Sequence, residues 1–143
     1  AERVFSPAVD MEKLMRERQI PVFSLETYRA LNSFDIVGFT IQHELCYSNI
    51  LNLLDLGQIP LKSKERKEDD PLIIAGGPGT FNAEPLSAFI DLFVIGEGEE
   101  IVGKIIEVYK RWKDKKQSRA VLLEELAQIE GIYVPSHSSF AFL

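Results

Sequence analysis

The sequence predicts an α/β fold in which a mostly parallel sheet is covered by helices on both faces. Three short apolar segments carry this prediction, at residues 34–41, 71–75 and 90–95, and a helical pattern of apolar residues follows the first and the last. Near-continuous apolar runs of this length are typical of strands buried on both faces of a parallel sheet. Strands that alternate with helices through short connections favour the same arrangement.

Before residue 34 the pattern is weaker. Residues 3–7 and 20–25 are short and apolar and predict strands. Asp10 is a candidate cap for a helix over 11–18, and residues 26–33 predict a turn with one helical piece.

The elements after residue 41 are predicted in order. A broad apolar face indicates a helix over 44–56 that ends at Gly57. The rest comprises a solvated charged loop at 62–70, a short helix at 85–89, an amphipathic helix at 100–113, a helix at 119–128 capped by Ser118, and an edge strand at 132–134.

Composition and charge limit the classes of function that the chain can have. The chain has 143 residues, 45% of them hydrophobic, and a formal net charge of −6. We expect one domain over 1–135, followed by a tail or linker at 136–143. An acidic surface repels phosphate backbones and argues against nucleic-acid binding. The basic residues near 110–119 are interpreted as a solvated helix end, namely Lys110, Arg111, Lys113, Lys115, Lys116 and Arg119.

The single cysteine, Cys46, allows no internal disulfide and fits a reducing compartment. No apolar run approaches the roughly 20 residues of a membrane span, and no signal-peptide pattern is present. The chain is therefore predicted to be cytoplasmic, with no membrane partner. Because Val4 and Phe5 already continue a strand-like run at the start, we expect a fragment of a longer protein.

Small and polar residues follow each of the three main predicted strands. Because the carboxyl ends of parallel strands meet at one edge of a sheet, these turns are expected to form one ligand-facing rim. The candidate site residues are Thr40, Gln42, Gly76, Gly77, Pro78, Gly79, Thr80, Asn82, Gly96, Glu97, Gly98 and Glu99.

The sequence leaves two interpretations of this rim open. The turn at 76–80 lacks the lysine of a phosphate-binding loop, so its glycines serve either the close approach of a bulky ligand or a tight turn. Glu97 is a candidate hydrogen-bond acceptor for a ligand or a neighbouring domain. His43, Glu44 and Cys46 do not have zinc-ligand spacing, and no catalytic triad is visible. We expect no catalytic residue and no metal ligand within this chain.

Three blocks together resemble a known family: Asp-Ile-Val-Gly-Phe-Thr at 35–40, Leu-Ile-Ile-Ala-Gly-Gly-Pro at 72–78 and Asp-Leu-Phe-Val-Ile-Gly-Glu-Gly-Glu at 91–99. The chain is similar to the cobalamin-binding-like domain that precedes the barrel of radical S-adenosylmethionine (radical SAM) proteins, in an uncharacterised subfamily. The resemblance covers about residues 3–133. It implies a three-layer Rossmann-like sheet of the flavodoxin or cobalamin-binding type.

The resemblance implies an accessory domain that holds cobalamin or docks against the barrel of the same polypeptide. The alternative is an interaction module of the same fold that binds no cofactor. The barrel, outside this chain, would carry the iron–sulfur cluster and S-adenosylmethionine, since no Cys-x-x-x-Cys-x-x-Cys run occurs here. The cobalt-ligating Asp-x-His-x-x-Gly motif is also absent.

The first strand and helix of this fold are expected upstream of Ala1. That strand is central in the usual strand order. Without it, another strand must close the gap, or sheet edges are left open and self-association is expected.

Overall fold

The computed structural model describes residues 1–43, 46–96 and 98–137. Its sheet has four strands in the order β1-β2-β3-β4. β1 to β3 are parallel neighbours and β4 runs antiparallel to β3. The strands are β1 (Ile36–Thr40), β2 (Leu72–Gly76), β3 (Leu92–Val94) and β4 (Ile132–Tyr133). The predicted α/β fold with a mostly parallel sheet is confirmed, as is the edge strand near residue 132.

Four α-helices cover the sheet: α1 (Val9–Glu17), α2 (Tyr47–Leu56), α3 (Gly98–Lys115) and α4 (Arg119–Ala127). The cap of α1 is Ala8, and Asp10 lies in the first turn of that helix, so the predicted Asp10 cap is wrong. Ser118 does precede α4, although its side chain makes no capping hydrogen bond. The short helix predicted at 85–89 is replaced by 3₁₀ turns at Pro78–Asn82 and Glu84–Leu86.

The side chains of the strands alternate between two cores, as the pleat requires. On one face, Ile73 and Phe93 belong to a core with residues of α1 and α2. On the other face, Leu72 and Leu92 pack with residues of α3 and α4. The sheet therefore has helices on both faces, as the sequence predicts.

The two strands predicted before residue 34 are wrong. No strand is assigned within residues 1–35, where only an isolated antiparallel bridge joins Phe23 to Ala30. The Leu25 N–H donates to the Arg3 carbonyl at 2.9 Å, but no ladder continues from that bond. Apolar, β-branched residues form a strand only where a partner backbone runs alongside them.

The prediction that the first main strand is buried on both faces is wrong for part of β1, because Gly38 and Thr40 are exposed. β1 pairs with β2 on one side, and no described strand lies on its other side. The described strands follow one another without a gap, and the open edge lies along β1.

Two charged residues predicted to be solvated are buried instead. Arg66, in the charged loop at 62–70, is 5% exposed, and Arg119, in the basic cluster, is 6% exposed. Both contact the carboxylate of Asp91. Across the described ranges, no helix combines the length and the apolar character needed to cross a membrane.

Candidate functional site

The carboxyl ends of β1, β2 and β3 form one rim of the sheet. Thr40 is the register partner of Gly76, and Ala75 is the partner of Phe93 one strand further on. Because all three strands are parallel, the turns that follow them leave the sheet at the same edge. The prediction that the three turns share one edge is thereby confirmed, while the prediction that this edge faces a ligand stays a prediction.

The glycines of the turn after β2 are required by close packing inside the protein. A Cβ at Gly77 would lie 2.7 Å from the Ile41 carbonyl oxygen, and one at Gly79 would lie 2.3 Å from Ile41 Cγ2. Gly77 also has φ 101° and ψ 176°, a backbone conformation that essentially only glycine adopts. The turn is pressed against the connection that leaves β1.

The Gly79 and Thr80 donors of this turn are bonded inside the protein. The Gly79 N–H donates to the Ile41 carbonyl at 2.8 Å, and the Thr80 N–H donates to the Gly77 carbonyl at 3.1 Å. The Thr80 hydroxyl donates to the same Gly77 carbonyl at 2.7 Å, and Thr80 is 3% exposed. These donors are satisfied without a ligand.

The outer side of the same turn projects from the surface. Phe81 is 82% exposed, and Pro78 and Asn82 are exposed with it. The Tyr47 hydroxyl of α2 donates to the Asn82 carbonyl at 2.7 Å. A turn fixed from below therefore carries an outward aromatic ring.

The two other turns of the rim are more open. Thr40 and Gln42 are exposed. Gly96 is exposed with φ 103°, and nothing lies within 4 Å of a Cβ placed there. Glycine is therefore suited to this position by its backbone angle, and not by a lack of space for a side chain.

Glu97 lies outside the described residues. Gly98 begins α3, where a Cβ would meet only Val94 Cγ1 at 3.9 Å. Glu99 is exposed in the first turn of α3, where an acidic side chain stabilises the helix dipole.

Two hollows flank the rim on separate sides. One of about 930 Å³ includes Thr40 and follows the outer edge of β1, and one of about 830 Å³ includes Gly98 and Glu99 at the start of α3. The Gly76–Thr80 turn lines neither hollow. Among the described residues, the three turns of the rim therefore do not line one shared hollow.

His43 and Cys46 lie together after β1, with 3.9 Å between His43 Nδ1 and Cys46 Sγ. Glu44, considered with them from the sequence, lies outside the described residues. Within the described part of the chain, no group of three or more His, Cys, Asp or Glu side chains is placed to hold a metal ion.

A buried ion cluster at the opposite, amino end of the sheet escapes the sequence prediction. Asp91 accepts hydrogen bonds from the Ile73 N–H and from Arg119 Nη2, each at 2.7 Å, and from the Ser63 hydroxyl. Arg66 Nη1 lies 3.2 Å from Asp91 Oδ1. Desolvation lowers the pKa of the Arg66 guanidinium, and the Asp91 charge opposes that change.

The comparison with known proteins gives one family. The profile of the N-terminal region of radical SAM proteins matches residues 1–135. The chain belongs to that family. It is an accessory domain of a radical SAM protein, which confirms the radical SAM part of the resemblance, while the cobalamin-binding part stays a prediction.

An uncharacterized protein of Methanocaldococcus jannaschii is 25% identical over 138 residues. The alignment covers 89% of this chain and 30% of that relative, so the chain spans less than a third of its length. No solved structure matches the chain.

Proposed function

We propose that this radical SAM N-terminal domain is a docking unit, whose carboxyl rim binds the catalytic barrel of the same polypeptide without holding a cofactor there. The observation that carries the proposal is Phe81, whose side chain is 82% exposed on a turn with internally satisfied donors. Large aromatic side chains that are fixed in place before binding are the usual anchors of protein interfaces.

The packing beneath Phe81 is what favours docking. Gly77 and Gly79 press the turn onto Ile41, and the bonds of Thr80 close it. Because the backbone of the turn is already held, covering Phe81 orders its side chain alone, so more of its buried area contributes to affinity.

The docking test uses the parent polypeptide with Phe81→Ser. We expect the connection between this domain and the rest of the chain to be cleaved several-fold faster in limited proteolysis, because the domains separate more often. The matched control is Tyr28→Ser. Tyr28 is 73% exposed and lies outside the three turns of the rim.

Equal cleavage rates for Phe81→Ser and the unaltered polypeptide would contradict docking through the rim. The cofactor alternative has its own readout, a titration of this chain and of the parent polypeptide with hydroxocobalamin. We expect no saturable change in the corrin absorption bands. A saturable change with fixed stoichiometry would instead assign cobalamin to this domain.

A further inference from the structure

The outer edge of β1 is a row of backbone groups without strand partners. The Leu72 N–H donates to the Asp35 carbonyl at 2.9 Å, and the Ile41 N–H donates to the Gly76 carbonyl at 2.7 Å. In a parallel ladder, alternate residues bond to the same neighbouring strand, so Val37 and Phe39 also face β2. The amides and carbonyls of Ile36, Gly38 and Thr40 therefore point away from the sheet.

Among the described residues, none donates to or accepts from those outward groups. A long exposed strand edge of this kind is normally blunted by a proline, a charge or a bulge. The edge of β1 has the sequence Ile-Val-Gly-Phe-Thr and carries none of these. The edge of β1 is therefore open to pairing with a further strand.

The chain's own first residues face this edge across the hollow of about 930 Å³, whose lining includes Glu2, Val4 and Phe5 opposite Gly38 and Thr40. Arg3 is bonded on the side away from β1, since its N–H donates to Glu26 Oε2 at 2.8 Å and its carbonyl accepts from Leu25. The hollow is thus bounded by two stretches of backbone.

The size of the hollow and the apolar residues on its floor suit one strand. A five-residue strand within a covered sheet occupies about 800 Å³, given a rise of about 3.3 Å per residue, a spacing of about 4.8 Å between strands and about 10 Å between layers. The floor includes Leu31, Phe34 and Leu53. Phe5 beside it is 61% exposed and would be covered by an occupant.

We infer that a further β-strand of the parent polypeptide, from outside residues 1–143, inserts between residues 2–5 and β1. The chain spans 30% of the relative's length, so the parent has ample sequence to supply such a strand. The strand is apolar on the side that faces Leu31 and Leu53. It pairs with the outward groups of Ile36, Gly38 and Thr40 in the manner of β-augmentation. This inference does not depend on where the rim docks.

Residue-resolved amide hydrogen exchange tests the inference, by comparing this chain alone with the parent polypeptide. We expect the Ile36, Gly38 and Thr40 amides to exchange at least about tenfold more slowly in the parent, since each gains a ladder hydrogen bond. The Val37 and Phe39 amides are internal controls, because they face β2 and are protected in both. Equal exchange at the three outward amides in the two samples would overturn the inference.

Two further measurements separate the possible occupants. Gly38→Pro removes one outward donor. In the parent it is expected to abolish the extra protection at Ile36 and Thr40 while Phe39 stays protected. Persistence of that protection would count against strand pairing. Protection that appears in this chain alone and rises with its concentration would assign the hollow to a second copy, and would also overturn the inference.

Discussion

The two ends of the sheet are held together by different means. At the amino end, side chains bond across elements, with Arg66 and Arg119 on opposite sides of Asp91. At the carboxyl rim, backbone lies against backbone, with Gly77 and Gly79 pressed on Ile41. The amino end therefore depends on charge neutralisation, whereas the rim depends on the absence of side-chain atoms.

At the amino end, the side chains of two arginines join the loop before β2 to neighbouring elements. Arg119 donates to the carbonyls of Lys67, Asp70 and Pro71, and so attaches the loop before β2 to α4. Arg66 attaches the same loop to the segment that precedes β3, because Arg66 Nη2 donates to the Phe89 carbonyl at 2.6 Å. These bonds fix the start of the strands through side chains, whereas the turn that presents Phe81 is held by the close packing of Gly77 and Gly79 on Ile41.

The largest effect is expected from Asp91→Ala. The substitution leaves two buried guanidinium groups without their carboxylate, and breaking a buried pair in this way costs about 3–5 kcal/mol of unfolding free energy. The control is Asp35→Ala, whose partner Lys113 is 58% exposed, so that loss should be below about 1 kcal/mol. Urea unfolding followed by circular dichroism measures both. Comparable losses for the two variants would remove the distinction between a buried and a solvated ion pair.

A smaller loss is expected from Gly77→Ala at the rim. Its φ of 101° and ψ of 176° cost a non-glycine residue about 1–3 kcal/mol, and the new Cβ would also crowd the Ile41 carbonyl. Gly96→Ala is the matched control, because Gly96 has φ 103° with nothing within 4 Å of the added atom. Unfolding midpoints should fall further for Gly77→Ala than for Gly96→Ala. Equal losses would mean that backbone angle alone, without crowding, explains these glycines.

The sequence predicts the parts of the molecule that local pattern determines. β2, β3, α3 and α4 lie close to their predicted bounds, because apolar periodicity and the positions of glycines are local properties. The predictions of strands at 3–7 and 20–25 are wrong because a strand needs a partner strand, and no local pattern shows whether one is present. The rim follows from topology alone once the strands are known to be parallel.

The ion cluster could not be predicted, because Arg66 lies in a charged run that is typical of a solvated loop. The usable signal was Asp91, an isolated charge between the apolar residues Ile90 and Leu92. A carboxylate in such a run needs a buried partner. Which of the 16 lysines and arginines supplies it depends on the fold.

The smallest effect is expected from a substitution of Tyr109. This residue belongs to a second group of side chains at the amino end of the sheet, which is more solvated than the cluster around Asp91. The Tyr109 hydroxyl donates to Asp35 Oδ1 at 3.4 Å. Burial, reinforced by the Asp35 charge, raises the pKa of the Tyr109 phenol. The folded state therefore holds this proton more tightly than the unfolded state, so stability is complete below about pH 10 and falls as the pH rises through the folded pKa. In Tyr109→Phe the ring against Trp112 is kept and the titration is lost.

Urea midpoints for Tyr109→Phe and the unaltered chain should therefore be close at about pH 8 and should diverge toward about pH 11, with the variant losing less stability. The two pH profiles share the contributions of the lysines and tyrosines that do not interact with Tyr109, so their difference reports Tyr109 together with its coupling to Lys113. Parallel profiles would show that the Tyr109 phenol titrates alike in the folded and unfolded states. In that case the side-chain network at the amino end would be confined to the buried cluster around Asp91, and Asp35, Tyr109 and Lys113 would behave as ordinary surface groups.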